Sequence, residues 1–380
     1  MIQSKVIDAD GHILEPPDLW ARYLENKYKD RAIHMEKDQD GVEYFVIDGR
    51  PSANLRGVGP AVAGIGQSYQ EIATSGTFGY FDGPKGAYDP SARLRLMDKD
   101  GLDAAVIFPS LGLTWEVEVK DAELAAAYAR AYNNWVIDFC STNPQRLIPV
   151  AHISLLDISE GVKEVQRVAK LGVKGAFMRA APPSQIPYWD RAYDPFWAVL
   201  QEAGMPIGFH VALNEYFLGH QWRMTESVTA VQSPLHGYRF SVVMFDVQAA
   251  FAALCQGAVF DRFPQLKVLL LETGGGWIAH FLERLDAKHK LLSWKTGLKH
   301  YPSEYFHRQC WISFDPDETT IPAMVKHCGA DKFIWASDFP HFDASPAAVE
   351  ETKKAISSLP ASDQRLILGD NVARIYGLSL

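Results

Sequence analysis

Short runs of consecutive apolar residues recur along the chain, and most are followed by a segment with apolar residues at helical spacing. The runs are KVIDAD (5–10), DAAVIF (103–108), RLIPVAHI (146–153), VKGAFM (173–178), PIGFHV (206–211), KVLLLE (267–272), QCWISF (309–314) and KFIWAS (332–337). They do not alternate with polar residues, which is the pattern of parallel strands buried on both faces. Between them lie helical patterns at 89–101, 121–141, 158–172, 193–204, 276–292, 321–329 and 345–359. Several end on a glycine, a usual helix stop. Strand and helix alternating in this way means βαβ units. Eight of them predict a closed (β/α)8 barrel, a TIM barrel, because an open sheet would leave two edges to protect.

Two stretches are too long for a simple βα connection. Residues 21–88 predict a small β insertion after strand one, with a hairpin of AIHMEK (32–37) and VEYFVI (42–47) joined by DQDG. A Gly-rich stretch follows at 55–67 and has no phosphate-loop pattern. The second stretch, about 212–242, carries Asn214, Glu215, Tyr216, His220, Trp222, His236 and Tyr238. Long loops in compact domains are usually functional or disordered. Both are read as covering a substrate, within one domain spanning 1–380.

Composition narrows the function classes. A net charge of -9 with no basic run argues against a nucleic-acid partner. Nothing approaches the ~18 apolar residues needed to span a bilayer, and the N-terminus has no apolar signal core. The four cysteines are irregularly spaced, without a C-x-x-C pair. They read as reduced, buried thiols of a cytoplasmic protein. The partner this leaves is a small-molecule substrate.

Active sites of such barrels sit at the C-terminal ends of the strands. The first run ends in Asp10-Gly11-His12, the fifth in His210, the sixth in Glu272 and the eighth just before Asp338. Asp10 and His12 are two apart, so on an extended chain they share a face. Two imidazoles with carboxylates suit zinc, iron or manganese. Each residue alone has a plainer reading: a cap, a core histidine, a turn-starting aspartate. Their recurrence at strand ends favours a metal site. Arg179 ends the fourth run and offers a guanidinium for a substrate carboxylate, or a structural ion pair. His152 ends the third run, and core packing is its favoured role.

The stretches IDADGHILEPPDLW (7–20), GFH (208–210), VFDRFPQLKVLLLETGGGWIAHFLERLD (259–286), WASDFPHFD (335–343) and LGDNVARIYGL (368–378) resemble the amidohydrolase-2 branch of the amidohydrolase superfamily. That branch contains metal-dependent hydrolases and non-oxidative decarboxylases of aromatic and unsaturated carboxylates. The resemblance covers nearly the whole chain. It implies metal ligation by Asp10, His12, His210 and Asp338, and a homo-oligomer. In the decarboxylases a histidine just after strand six acts as acid/base; here Glu272 stands in that place. Glu272 then reads as the acid/base, as a metal ligand, or as a cap on the helix beginning near Trp277.

Some superfamily members similar to this chain are dinuclear non-haem iron oxygenases. A second metal would draw on Glu272, His341, His236 and Glu15. The leading expectation is a hydrolase of a small organic acid, amide or ester. Its metal, zinc first, then iron or manganese, activates a water. Asp338 or Glu272 takes the proton, and His341 is a further catalytic candidate. Decarboxylation is the close alternative, then the iron oxygenase. A non-enzymatic partner-binding barrel with a decayed site comes last.

Overall fold

The computed structural model describes residues 5–56, 62–68, 70–72, 78–183, 186–212 and 242–379. Strand β1 (Ile7–Ile13) opens the barrel, and β2 (His34–Lys37), β3 (Glu43–Ile47) and β4 (Arg50–Arg56) form the insertion. The barrel continues with β5 (Ala104–Pro109), β6 (Leu147–His152), β7 (Gly175–Arg179) and β8 (Ile207–His210). It ends with β9 (Val268–Leu271), β10 (Cys310–Phe314) and β11 (Phe333–Trp335). The eight barrel strands pair in parallel in the order β1-β5-β6-β7-β8-β9-β10-β11. Each predicted run falls on one of them, so the chain folds as a (β/α)8 barrel. The seam between β1 and β11 is closed just past β11: Asp338 N–H donates to Asp10 O at 3.1 Å, and His12 N–H to Phe339 O at 2.6 Å.

Local signals start and stop the helices. Asp89, Asp121 and Asp157 accept hydrogen bonds from first-turn amides of the helices Pro90–Asp100, Ala122–Cys140 and Ile158–Lys170. Gly101 ends the first of these in the left-handed region, at φ 73°. The helices Phe245–Gln256 and Pro302–Gln309 were not foreseen from the pattern. Among the described residues no helix is long and apolar enough to cross a membrane.

Ile7, Ala9, Val106, Phe108, Val150, Phe177, Leu269, Leu271 and Ile334 pack together inside the barrel. Val372, Ile375 and Tyr376 of the last helix, Asn371–Tyr376, join them and plug the N-terminal end. Gly175 makes room for that plug, since a Cβ there would lie 2.5 Å from the Tyr376 ring. The opposite, C-terminal end is left for polar side chains.

The insertion departs from the predicted hairpin by one strand. It is a three-stranded antiparallel sheet in the order β2-β3-β4. β4 reads RPSANLR, with no apolar alternation to reveal it. The signal that was available is Asp48-Gly49, both at positive φ, the two-residue turn that reverses β3 into β4.

Candidate metal centre

The centre begins with an irregularity in β1. Its register against β5 shifts between Asp8 and Gly11, so β1 holds one residue more than its partner. Ile7 and Ala9 pack in the apolar interior, and beyond the shift His12 stands opposite Phe108. Irregularities of this kind re-aim side chains near sites. Asp10 and His12 now converge, with His12 Nε2 3.4 Å from Asp10 Oδ1. His210, the last residue of β8, meets them from across the barrel. Its Nε2 lies 3.2 Å from His12 Nε2 and 3.3 Å from Asp10 Oδ2. All three side chains are buried.

The ring orientations say what the cluster is built for. His12 Nδ1 donates to Pro109 O at 2.8 Å, and His210 Nδ1 to Val211 O at 2.7 Å. A carbonyl oxygen only accepts, so each Nδ1 keeps its hydrogen and each Nε2 turns to the centre. Both Asp10 oxygens are buried there with no hydrogen-bond partner. Lone pairs of two imidazoles and a carboxylate at this spacing repel unless positive charge lies between them. That donor set fits a divalent transition-metal ion. Burial lowers the His210 pKa, but Asp10 and Glu272 overcome it and lift the ring to about 9. Burial and the neighbouring His341 and His210 drive His12 well below its ordinary value.

A carboxylate-rich flank adjoins this centre. Glu272 follows β9 and Asp338 lies just past β11. Both have positive φ, 52° and 53°, a conformation costing on the order of 1–3 kcal/mol in a non-glycine residue and typical of sites. Asp338 Oδ1 is 3.3 Å from His12 Nε2 and 2.7 Å from His341 Nδ1. His341 Nε2 faces Ser110 Oγ at 3.0 Å. Burial and His210 push the His341 pKa down to about 3, so this ring is neutral. Glu272 Oε2 lies 3.2 Å from His210 Nδ1. Burial, then the neighbouring carboxylates against the pull of His210, raises Glu272 well above the usual range. Burial, Glu272 and Asp343 do the same to Asp338.

Three groups of ligand atoms therefore overlap, each within 4.8 Å: Asp10, His12 and His210; His12, Asp338 and His341; Glu272, Asp338 and Asp343. Asp343 was not singled out in the sequence; its only signal was its place in WASDFPHFD. Glu15 is not brought to the centre, which corrects its candidacy for a second metal. Its carboxylate lies under the loop after β5 and accepts the amides of Ser110 (3.2 Å), Leu111 (2.9 Å) and Gly112 (3.1 Å). Burial, against the pull of these amides, lifts its pKa to about 7. The cap role for Glu272 is also corrected: Glu318 takes the amides of Gly275 and Gly276. His236 and the rest of 213–241 lie outside the described residues.

Arg179 ends β7 in register with His210 and is buried. His152, at the end of β6, is buried between Trp115 and Phe177, with ring centroids 4.9 Å away in each case. Its Nε2 stands 3.5 Å from Glu116 Oε2. Burial raises Glu116, but His152 and Arg179 outweigh it and hold this carboxyl below the usual range. Glu116, in LTWEVE, gave no sign in the sequence of joining a strand end.

The model of the amidohydrolase family matches residues 7–378. Gamma-resorcylate decarboxylases are among the relatives. That of a Polaromonas species is 24% identical over 307 residues, covering 76% of this chain and 87% of the relative. An amidohydrolase from Mycobacterium avium subsp. paratuberculosis superimposes with a TM-score of 0.81 at 24% identity, over 99% of this chain and 100% of that one. A dihydroxybenzoic acid decarboxylase from Polaromonas, solved with bound manganese and an inhibitor, superimposes at 0.65 and 18% identity, over 99% and 98%. The structural likeness shows a shared barrel fold.

Proposed function

Because the chain belongs to the amidohydrolase family, we propose that its barrel mouth holds a divalent metal ion and decarboxylates a small aromatic or unsaturated carboxylate without oxidation. The observation that carries this is the convergence of Asp10, His12 and His210 lone pairs beside an acid, Glu272. Asp338, reaching His12 from the other side, is the fourth ligand in this reading. Support for the chemistry comes from the relatives, which include decarboxylases. They support this alternative better than the hydrolase that was the leading expectation. The donor set suits manganese, zinc or iron, and the Polaromonas structure of the same fold carries manganese. When bound, such an ion supplies positive charge for the substrate's carboxylate and for electron density developing next to it.

The chain's own residues do the rest. In decarboxylation the bond between carbon and carboxylate breaks, CO2 leaves, and that carbon gains a proton. Glu272 is the donor in this reading. Burial, against the pull of His210, and the neighbouring carboxylates shift its carboxyl toward holding its proton, the direction of tuning an acid catalyst needs. It thus serves where the decarboxylases resembled here use histidine. His341 packs into the same flank, its Nδ1 2.7 Å from Asp338 Oδ1 and its Nε2 3.0 Å from Ser110 Oγ. Arg179 is assigned to the substrate's anionic group by its guanidinium chemistry.

The test is product analysis on manganese-loaded protein with a panel of aromatic and unsaturated acids in D2O. CO2 release with one deuterium at the vacated carbon supports the proposal. Cleavage of amides or esters with no CO2 release would restore the hydrolase. Two irons per chain with oxygen consumption would replace both readings with the dinuclear oxygenase.

A further inference from the structure

The metal-donor residues stand on both sides of the barrel's closing seam. Asp10 and His12 belong to β1, and Asp338 lies past β11. Among the described residues, the main-chain bonds joining these two sides are Asp338 N–H to Asp10 O and His12 N–H to Phe339 O. Two charged side chains with no part in the chemistry above span the same seam. They are buried, with relative exposures of 0% for Asp8 and 2% for Arg93.

Asp8 Oδ1 accepts the amides of Ser337 (3.0 Å) and Asp10 (3.2 Å). Its Oδ2 accepts the Ser337 hydroxyl at 2.6 Å, and Ser337 Oγ accepts the Phe339 amide at 3.1 Å. Arg93 Nη1 donates to His12 O at 3.0 Å while its guanidinium lies 4.1 Å over the Phe339 ring. Each side chain thus grips β1 with one contact and Ser337–Phe339 with another. Gly11 lets them do so: a Cβ there would stand 2.5 Å from Asp8 Oδ2 and 2.7 Å from Arg93 Nη2.

We infer that Asp8 and Arg93 are positioning residues for the metal centre, a clasp that sets how far Asp10 and His12 stand from Asp338. The inference rests on the metal-centre reading above. The gripped atoms are the main-chain groups of the ligands themselves: the amide of Asp10 and the carbonyl of His12. Ser337, held by both amide and hydroxyl, immediately precedes Asp338, whose left-handed backbone persists only where its surroundings over-determine it. Ligands must be held to within about 0.5 Å for a site to work. A role confined to stabilising the barrel would lower the stability of metal-free and metal-loaded protein alike. A positioning role acts on the difference between them.

The experiment compares wild type, Asp8→Asn and Ser337→Ala. It reads the Mn2+ dissociation constant, the visible absorption of the Co2+-loaded protein, and Tm with and without metal. Asp8→Asn is expected to weaken Mn2+ binding by about 10–100-fold and to alter the Co2+ spectrum, as loss of a ligand-orienting partner does. Ser337→Ala leaves every charge in place. It is expected to weaken binding by about tenfold and to lower the Tm of the metal-loaded protein more than that of the metal-free protein, and it decides alone if Asp8→Asn does not fold. Affinities within about threefold of wild type and an unaltered Co2+ spectrum would overturn the clasp while leaving the metal centre standing. A wild-type protein that binds no divalent ion would overturn both.

Discussion

Glu15 and Glu272 both follow a barrel strand, and burial raises both carboxyls above their ordinary pKa. Both have the residue type of a second-metal ligand, yet the fold treats them oppositely. Three main-chain amides hold the oxygens of Glu15, committing it to the loop after β5. Glu272 Oε2 is buried without a hydrogen-bond partner, beside His210 and facing Asp338 and Asp343. Desolvation is therefore common to a carboxylate held by backbone amides and to one left facing the centre. The fixed donors around each one separate them.

The largest expected effect comes from the centre beside Glu272. Asp10→Asn, or chelation, abolishes turnover and lowers Tm through loss of metal linkage. Calorimetric scans with and without chelator check this, and a Tm indifferent to chelation counts against a metal centre. Next is Glu272→Gln, for which kcat falls about 10²–10⁴-fold with metal content intact by elemental analysis. Joint loss of metal and activity makes Glu272 a ligand instead and breaks the contrast on that side.

Glu15→Gln probes the other side. It is isosteric, but it turns an NH2 toward an amide donor and costs about 1–3 kcal/mol, read from urea unfolding. Metal content is expected to stay at the wild-type level; its loss would mean that Glu15 serves the centre after all. The same group also gives the protein a pH dependence. Its folded pKa, about 7, stands above the ordinary 4.5, so the folded state holds the proton more tightly. That stabilisation is complete below pH 4.5 and is lost as pH rises through about 7. The urea midpoint of wild type should fall across this window, and less so in Glu15→Gln.

The barrel was legible because its strands are buried on both faces, which leaves unbroken apolar runs, and because aspartate caps and terminal glycines punctuate its helices. Asp10, His12, His210, Glu272 and Asp338 were legible for a related reason: a polar residue closing an apolar run is conspicuous. β4 was hidden, since a polar strand has no pattern beyond its Asp48-Gly49 turn. Asp343, Ser110 and Glu116 were hidden too, because their partners are remote in the chain; Ser110 meets His341 from the loop after β5.

The amino-acid sequence by itself determined the (β/α)8 class, the family, and the residue types gathered at the strand ends, because these depend on local periodicity and on short motifs. Only the tertiary structure decided which polar groups are already satisfied. Glu15 and Glu318 are consumed by backbone amides, Asp8 and Arg93 lock the seam, and Asp10 with the two facing imidazoles is left wanting a cation. Hydrogen-bond satisfaction depends on where other segments of the chain arrive, and no single stretch of sequence carries that information.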